Sequence, residues 1–213
     1  LKIINLMVFL ILTASCACSQ DIGADIGRKL SDILITGNIP DSLTIRYSYD
    51  EGGVPIESLM REELTINGNG KTVYYNNVFI DKSNWFFDKY EYNTEKEVIL
   101  EIINEIQRSN FVSRKFAEER TQDDMPNECT TRSFSVSIDG ESITKVFLEK
   151  LSHKEEQEIL NLPVNNEYDK GYASYMKRYI GKGIPTELER FQFLLDEVMR
   201  NRRKFPYHLT LAH

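Results

Sequence analysis

The most apolar run of the chain comes first. Ile3 to Leu12 contains one polar residue, Asn5, with Lys2 before it and Thr13-Ala14-Ser15-Cys16 after it. A helix of that length spans about 15 Å at ~1.5 Å per residue, half of a hydrocarbon core of roughly 30 Å. The length and the basic start suit the apolar region of a signal peptide, not a membrane-spanning helix. Residues 19–40 then read as a tether leading into a short apolar helix around Lys29–Ile35, which Gly37 and Pro40 stop.

From there the pattern alternates between periods of two and of 3.6. Thr44–Tyr49 predicts a strand with Ile45, Tyr47 and Tyr49 on one face, and Gly52-Gly53 marks a turn. Leu64 and Ile66 before Asn67-Gly68-Asn69-Gly70, with Thr72–Tyr75 after it, predict a hairpin. The aromatic-rich stretch Val78–Tyr92 predicts a further strand and much of the core. Val98, Ile99, Ile102, Ile103 and Ile106 form one helical stripe behind Thr94-Glu95-Lys96-Glu97, a sequence that reads as a capping box. Residues 117–130 are polar and acidic and read as a loop. Phe134, Val136 and Ile138, then Asp139-Gly140, then Ile143, Val146 and Phe147 predict a second hairpin.

Two more capping boxes, Ser152-His153-Lys154-Glu155 and Thr186-Glu187-Leu188-Glu189, open further helices, the second carrying the stripe Leu188, Phe191, Leu195 and Val198. Between them Tyr168, Tyr172, Tyr175 and Tyr179 recur along one helical face, in a helix ended by Gly181 and Gly183. The fold class expected is α+β, an antiparallel sheet built from hairpins with several helices packed mainly on one face. The organisation expected is a leader at 1–15, a tether and short helix at 16–40, and one domain over 41–207.

Composition narrows the function classes. The 213 residues carry a formal charge of −7 and a globular balance, 41% hydrophobic and 28% charged. That excludes a disordered tail or a fibre. An acidic chain also lacks the basic face that phosphate recognition needs, so no nucleic-acid partner is expected.

Few motifs promise catalysis. Gly70-Lys71-Thr72 imitates the tail of a phosphate-binding loop, but position 65 is Thr and Val73-Tyr74-Tyr75 continues as strand, so it reads as a hairpin turn. The three histidines, His153, His208 and His213, show no paired spacing, and no Gly-x-Ser-x-Gly elbow occurs. Asp123, Asp124 and Glu128 lack the alternation and central glycine of a calcium loop. No enzyme, metal or cofactor is therefore expected. The tyrosine stripe, with Lys170, Lys177 and Arg178 beside it, is the candidate binding surface for a protein or glycan. Packing of the same rings onto the sheet is the alternative. Arg200, Arg202, Arg203 and Lys204 suit either anionic lipid or the negative end of a helix dipole.

Thr13-Ala14-Ser15-Cys16 resembles the lipobox of bacterial lipoproteins, with Thr13 standing where an aliphatic residue is usual. The resemblance implies that Cys16 is acylated and becomes the first mature residue. Loss of Lys2 with the leader takes the formal charge from −7 to −8. The chain is then held on a membrane in the bacterial cell envelope, facing the periplasm or the exterior. An acylated Cys16 leaves Cys18 and Cys129 as an even pair in an oxidising compartment. A bridge between them contributes about 4–5 kcal/mol of chain entropy at most, and a free Cys18 in the tether is the alternative.

The strand bearing Gly52-Gly53, the helix ending in Ser109-Asn110-Phe111, the Phe134–Ile138 strand and the helix near Thr186–Met199 are similar in order to emfourin-type inhibitors of metalloproteases. Val54-Pro55 stands where that family places a second aromatic-glycine unit. The leading expectation is a non-catalytic, lipid-anchored binding or scaffolding domain that displays the tyrosine face and the Gly52-Gly53 turn. A secreted protease inhibitor and a hydrolase built on scattered carboxylates are the rivals.

Overall fold

The computed structural model describes residues 22–50, 60–81, 84–120, 130–149, 153–177, 183–201 and 208–211. Helix α1 covers 22–36. Strands β1 (Thr44–Asp50), β2 (Met60–Asn67), β3 (Lys71–Asp81) and β4 (Asn84–Asn93) precede helix α2 (Lys96–Arg108). Strands β5 (Thr131–Ile138) and β6 (Glu141–Leu148) follow, then helices α3 (His153–Leu160), α4 (Glu167–Met176) and α5 (Glu189–Asn201), and last β7 (His208–Leu211). The seven described strands join one sheet in the order β6-β5-β1-β2-β3-β4-β7, and each neighbouring pair is antiparallel. This is the expected α+β class.

Strand alternation decides which face is covered. Ile45 pairs with Ile66 and Val136, and Tyr47 with Leu64 and Phe134. Because side chains alternate, this register puts every one of them on the same face. All six are almost fully buried, and the stripes of three helices complete the core: Ile26, Leu30 and Ile33 of α1, Ile99, Ile102, Ile103 and Ile106 of α2, and Phe191, Leu195 and Val198 of α5. Phe134 sits at the centre, its ring 5.4 Å from Tyr47, 5.4 Å from Phe191 and 6.0 Å from Phe147. At these spacings tilted aromatic pairs add to the area they bury.

The two turns follow their sequences. Asp139 and Gly140 both take positive φ, 53° and 83°, as a two-residue hairpin of mirror-image type requires. Gly70 closes the β2–β3 turn with φ 89°, its N–H donating to the Asn67 carbonyl at 2.9 Å. Gly68 is glycine for a different reason: a Cβ there would lie 1.9 Å from the Pro40 carbonyl oxygen. The loop after α1 presses directly onto that turn.

Four elements differ from the sequence reading. First, α1 reaches back at least to residue 22, so part of the expected tether is helix, and Ile26 is wholly buried. Second, the Thr94 capping box does not form. Glu95 takes the N-cap position of α2 without a side-chain cap, while the Thr94 hydroxyl meets the hydroxyl of buried Thr72 at 2.6 Å. A hydroxyl inside the core needs a partner more than an exposed helix end does. Third, Thr186 opens a short 3₁₀ turn, Thr186–Leu188, with Pro185 before it and no side-chain cap. Finally, β7 lies beyond the expected end of the domain at 207 and pairs with Phe86–Lys89 of β4.

Glycine substitutions of opposite sign test this packing. Gly68→Ala drives a methyl into the Pro40 carbonyl and should cost about 2–3 kcal/mol, as overpacking does. Gly171→Ala lies in α4 with nothing within 4 Å of the new Cβ, and should gain up to about 1 kcal/mol in helix propensity. Urea midpoints of the two variants should move in opposite directions.

Candidate functional site

Cys16, Cys18, Cys129, Gly52, Gly53 and Tyr179 lie outside the described residues, as do Asp123, Asp124, Glu128, Arg202, Arg203 and Lys204. Tyr168, Tyr172 and Tyr175 fall on α4, but their side chains are outside the described set as well. On that helix Ala173 is buried and Gly171 is exposed. Gly70-Lys71-Thr72 is the end of a hairpin turn and the start of β3, as its strand-like continuation implied.

The polar residues that the fold brings together occupy three places. One is the far end of the helix-covered face, where β1 stops and β5 begins. Arg132 donates through its fork to both carboxylate oxygens of Glu149, and through Nη1 to the Tyr47 hydroxyl at 2.7 Å. Its guanidinium also lies 5.0 Å from the centre of the Tyr49 ring. On the neighbouring strands Tyr74 donates to Glu62 at 2.6 Å. Burial pushes the Tyr47 hydroxyl well above its ordinary range. Burial also raises Asp196 on α5, although Arg132 and Arg200 pull its carboxyl the other way. Further along the same face Asn76 and Asp88 stand opposite one another, each with a buried side-chain oxygen that has no hydrogen-bond partner. Among the described residues no group of three or more His, Cys, Asp or Glu is placed to hold a metal ion.

A second polar group lies inside the core. The register Val136 to Ile143 turns Lys145 inward and Val146 outward, although Val146 is the apolar residue. Lys145 is 6% exposed, donates to Glu119 at 3.0 Å, and lies 5.8 Å and 5.6 Å from the ring centres of Phe111 and Phe116. The pair pins the segment after α2 to the sheet, and Arg120 extends the contact by donating its backbone N–H to the Val146 carbonyl at 2.9 Å.

The third place is the opposite face of the sheet, the one the three core helices leave uncovered. Arg46, Arg61, Lys71, Tyr75, Glu91 and Thr144 are exposed across it, from β6 to β4. Hydroxyls bridge neighbouring strands here, Ser48 to Ser133 at 2.7 Å and Thr144 to Ser135 at 3.0 Å. Lys89 stands 5.7 Å from the Tyr75 ring. Among the described residues this face therefore combines hydroxyls, both signs of charge and the exposed ring of Tyr75. A smaller open cleft of about 310 Å³ sits at the other end of the sheet, between Asn38, Asn69, Gly70, Thr94, Lys96 and Ile99.

Asp196 sets a sign for the pH dependence. A carboxyl whose pKa is higher folded than unfolded binds its proton more tightly in the folded state. Its contribution is favourable at low pH and is lost as the pH rises from the unfolded value, about 3.9, through the raised one. Asp196→Asn should therefore raise the unfolding midpoint at pH 7, and the gain should vanish below about pH 3. A loss of stability at pH 7 would mean that attraction to Arg132 and Arg200 outweighs the burial cost.

The chain matches no known protein family, and no curated protein shows significant similarity to it.

Proposed function

We propose that this protein is a lipid-anchored component of a bacterial cell envelope, with a non-catalytic domain that binds a protein or glycan partner. The observation that carries the reading is the leader itself: a basic start, an apolar run too short to span a bilayer, and small residues running straight into Cys16. Acyl chains contribute about 0.8 kcal/mol per buried CH₂, so several chains on one cysteine anchor a protein stably on a membrane where a single short chain would not. Among the described residues no helix is long and apolar enough to cross a membrane, so attachment in this reading falls to the lipid.

The open sheet face supports the binding half of the reading. It combines hydroxyls, charges of both signs and the exposed ring of Tyr75, the mixture that suits polar partners such as sugars and peptide surfaces. The groups on the helix-covered face serve the fold instead. Arg132 has committed its fork to Glu149 and Tyr47, and Lys145 is committed to Glu119.

Expression of the full chain in a bacterial host tests the anchor. The wild-type protein should partition into detergent and the membrane pellet, with an intact mass matching an acylated chain that begins at Cys16. Cys16→Ala should leave the mature-length species absent and the membrane fraction depleted at least tenfold. An unmodified Cys16 on a chain that retains residues 1–15 would overturn the proposal.

A further inference from the structure

We propose that the bilayer holding the chain faces the β6 edge of the sheet, so that the exposed groups of this edge meet phospholipid head groups. The inference rests on acylation of Cys16. From Cys16 to Ile22, where the described helix α1 is under way, is six residues. A fully extended chain covers at most about 3.6 Å per residue, or about 22 Å here. The head-group layer of one leaflet is about 5–7 Å thick. The start of α1 is therefore tied to within about 15 Å of the outer surface of that layer.

Where α1 starts is fixed by its packing. A Cβ at Gly23 would meet the Val112 carbonyl at 2.7 Å and the Ile143 side chain at 3.4 Å, and Ile143 belongs to β6. Nearly two turns on, Lys29 reaches Asp139 at 3.3 Å and Glu141 at 3.2 Å on the β5–β6 turn. The first turns of α1 thus lie at the β6 side of the sheet. Strand β4 is five strand spacings from β6 in the sheet order, which at ~4.8 Å each is about 24 Å. Placing the β4 side against the membrane would lift the start of α1 farther than the tether reaches.

The chemistry of the β6 side fits head groups. Ser142 and Thr144 are exposed along the edge, and Arg114 and Lys115 are exposed in the segment that follows Val112. Arg114 also pairs with Glu187 at 2.8 Å. Of the acids on this side, Asp139 and Glu141 are engaged by Lys29 and Glu119 by Lys145, while Glu118 is half-exposed beside them. Hydroxyls and cations next to lipid phosphates gain charge-assisted hydrogen bonds.

The protein's own lysines report the orientation. Lipidated full-length protein, purified from membranes and reconstituted in phosphatidylcholine–phosphatidylglycerol vesicles, is treated with a membrane-impermeant amine acylating reagent, with soluble Cys16→Ala protein as the reference. Mass spectrometry should show Lys115 modified at least threefold more slowly on vesicles, while Lys71 and Lys89 on the distant strands react at unchanged rates. A twenty-residue Gly-Ser insertion after Gln20 should abolish the protection of Lys115. Flotation of the protein with unchanged reactivity at Lys115, or with protection at Lys71 and Lys89, overturns the orientation alone. Failure of the wild-type chain to float with the vesicles overturns the anchor and the orientation together.

Discussion

The docking of α1 is the constraint on which the rest of the structure depends. Ile26 and Leu30 have no exposed surface and Ile33 almost none, and each such side chain contributes roughly 1.5–3 kcal/mol when it leaves water. The helix sits between α2 and the β5–β6 turn, which Lys29 reaches. Gly23 and Gly27 permit the approach, because both lie against Val112. The Gln107 side chain donates to Ser31 at 3.2 Å, tying α1 to α2. Loss of this helix would open one end of the core to solvent. The same helix carries the mechanical consequence of the proposed anchor: a domain whose first turns are packed into its own core cannot drift far from a lipid six residues upstream.

A one-sided sheet follows from the same economy. The alternating strands supply one apolar face and three helices cover it, while on the other face Arg46, Arg61, Lys71, Tyr75, Glu91 and Thr144 stay exposed among the described residues. With the β6 edge toward the bilayer, the sheet stands upright, and the face carrying Arg46, Thr65 and Tyr75 looks along the membrane. In that orientation the binding proposal places a partner beside the protein on the same surface.

Much of this fold was legible in the sequence because periodicity survives in a single chain. The stripe from Val98 to Ile106 and the alternation around Asp139-Gly140 needed no tertiary information. The start of α1 was not legible. Gly23 and Gly27 read as part of a tether, and only contact with Val112 explains small residues on that helix face. The Thr94 box looks complete in sequence but does not form, because its hydroxyl is recruited by Thr72, a partner twenty-two residues away in sequence. Lys145 was overlooked because a charged residue in a strand reads as solvent-facing. Its inward position is set by the register against Phe134, and Glu119 makes it tolerable. The chain segment His208–Leu211 is too short for periodicity to mark it as a strand. Of the candidate site, the leader and its cysteine came from sequence alone, whereas the open face emerged only from strand order, since no single strand shows that it will lie uncovered.

Native-state hydrogen exchange measures the central claim directly. If α1 is a core element, the amides of residues 26–36 should be as strongly protected as those of Ile99–Ile106 in α2, and both should be lost in one cooperative unfolding event. Exchange of residues 26–36 at the rate of an unstructured chain, while α2 remains protected, would contradict the account. It would show that the helix is not part of the core and that the link to Cys16 is long and loose.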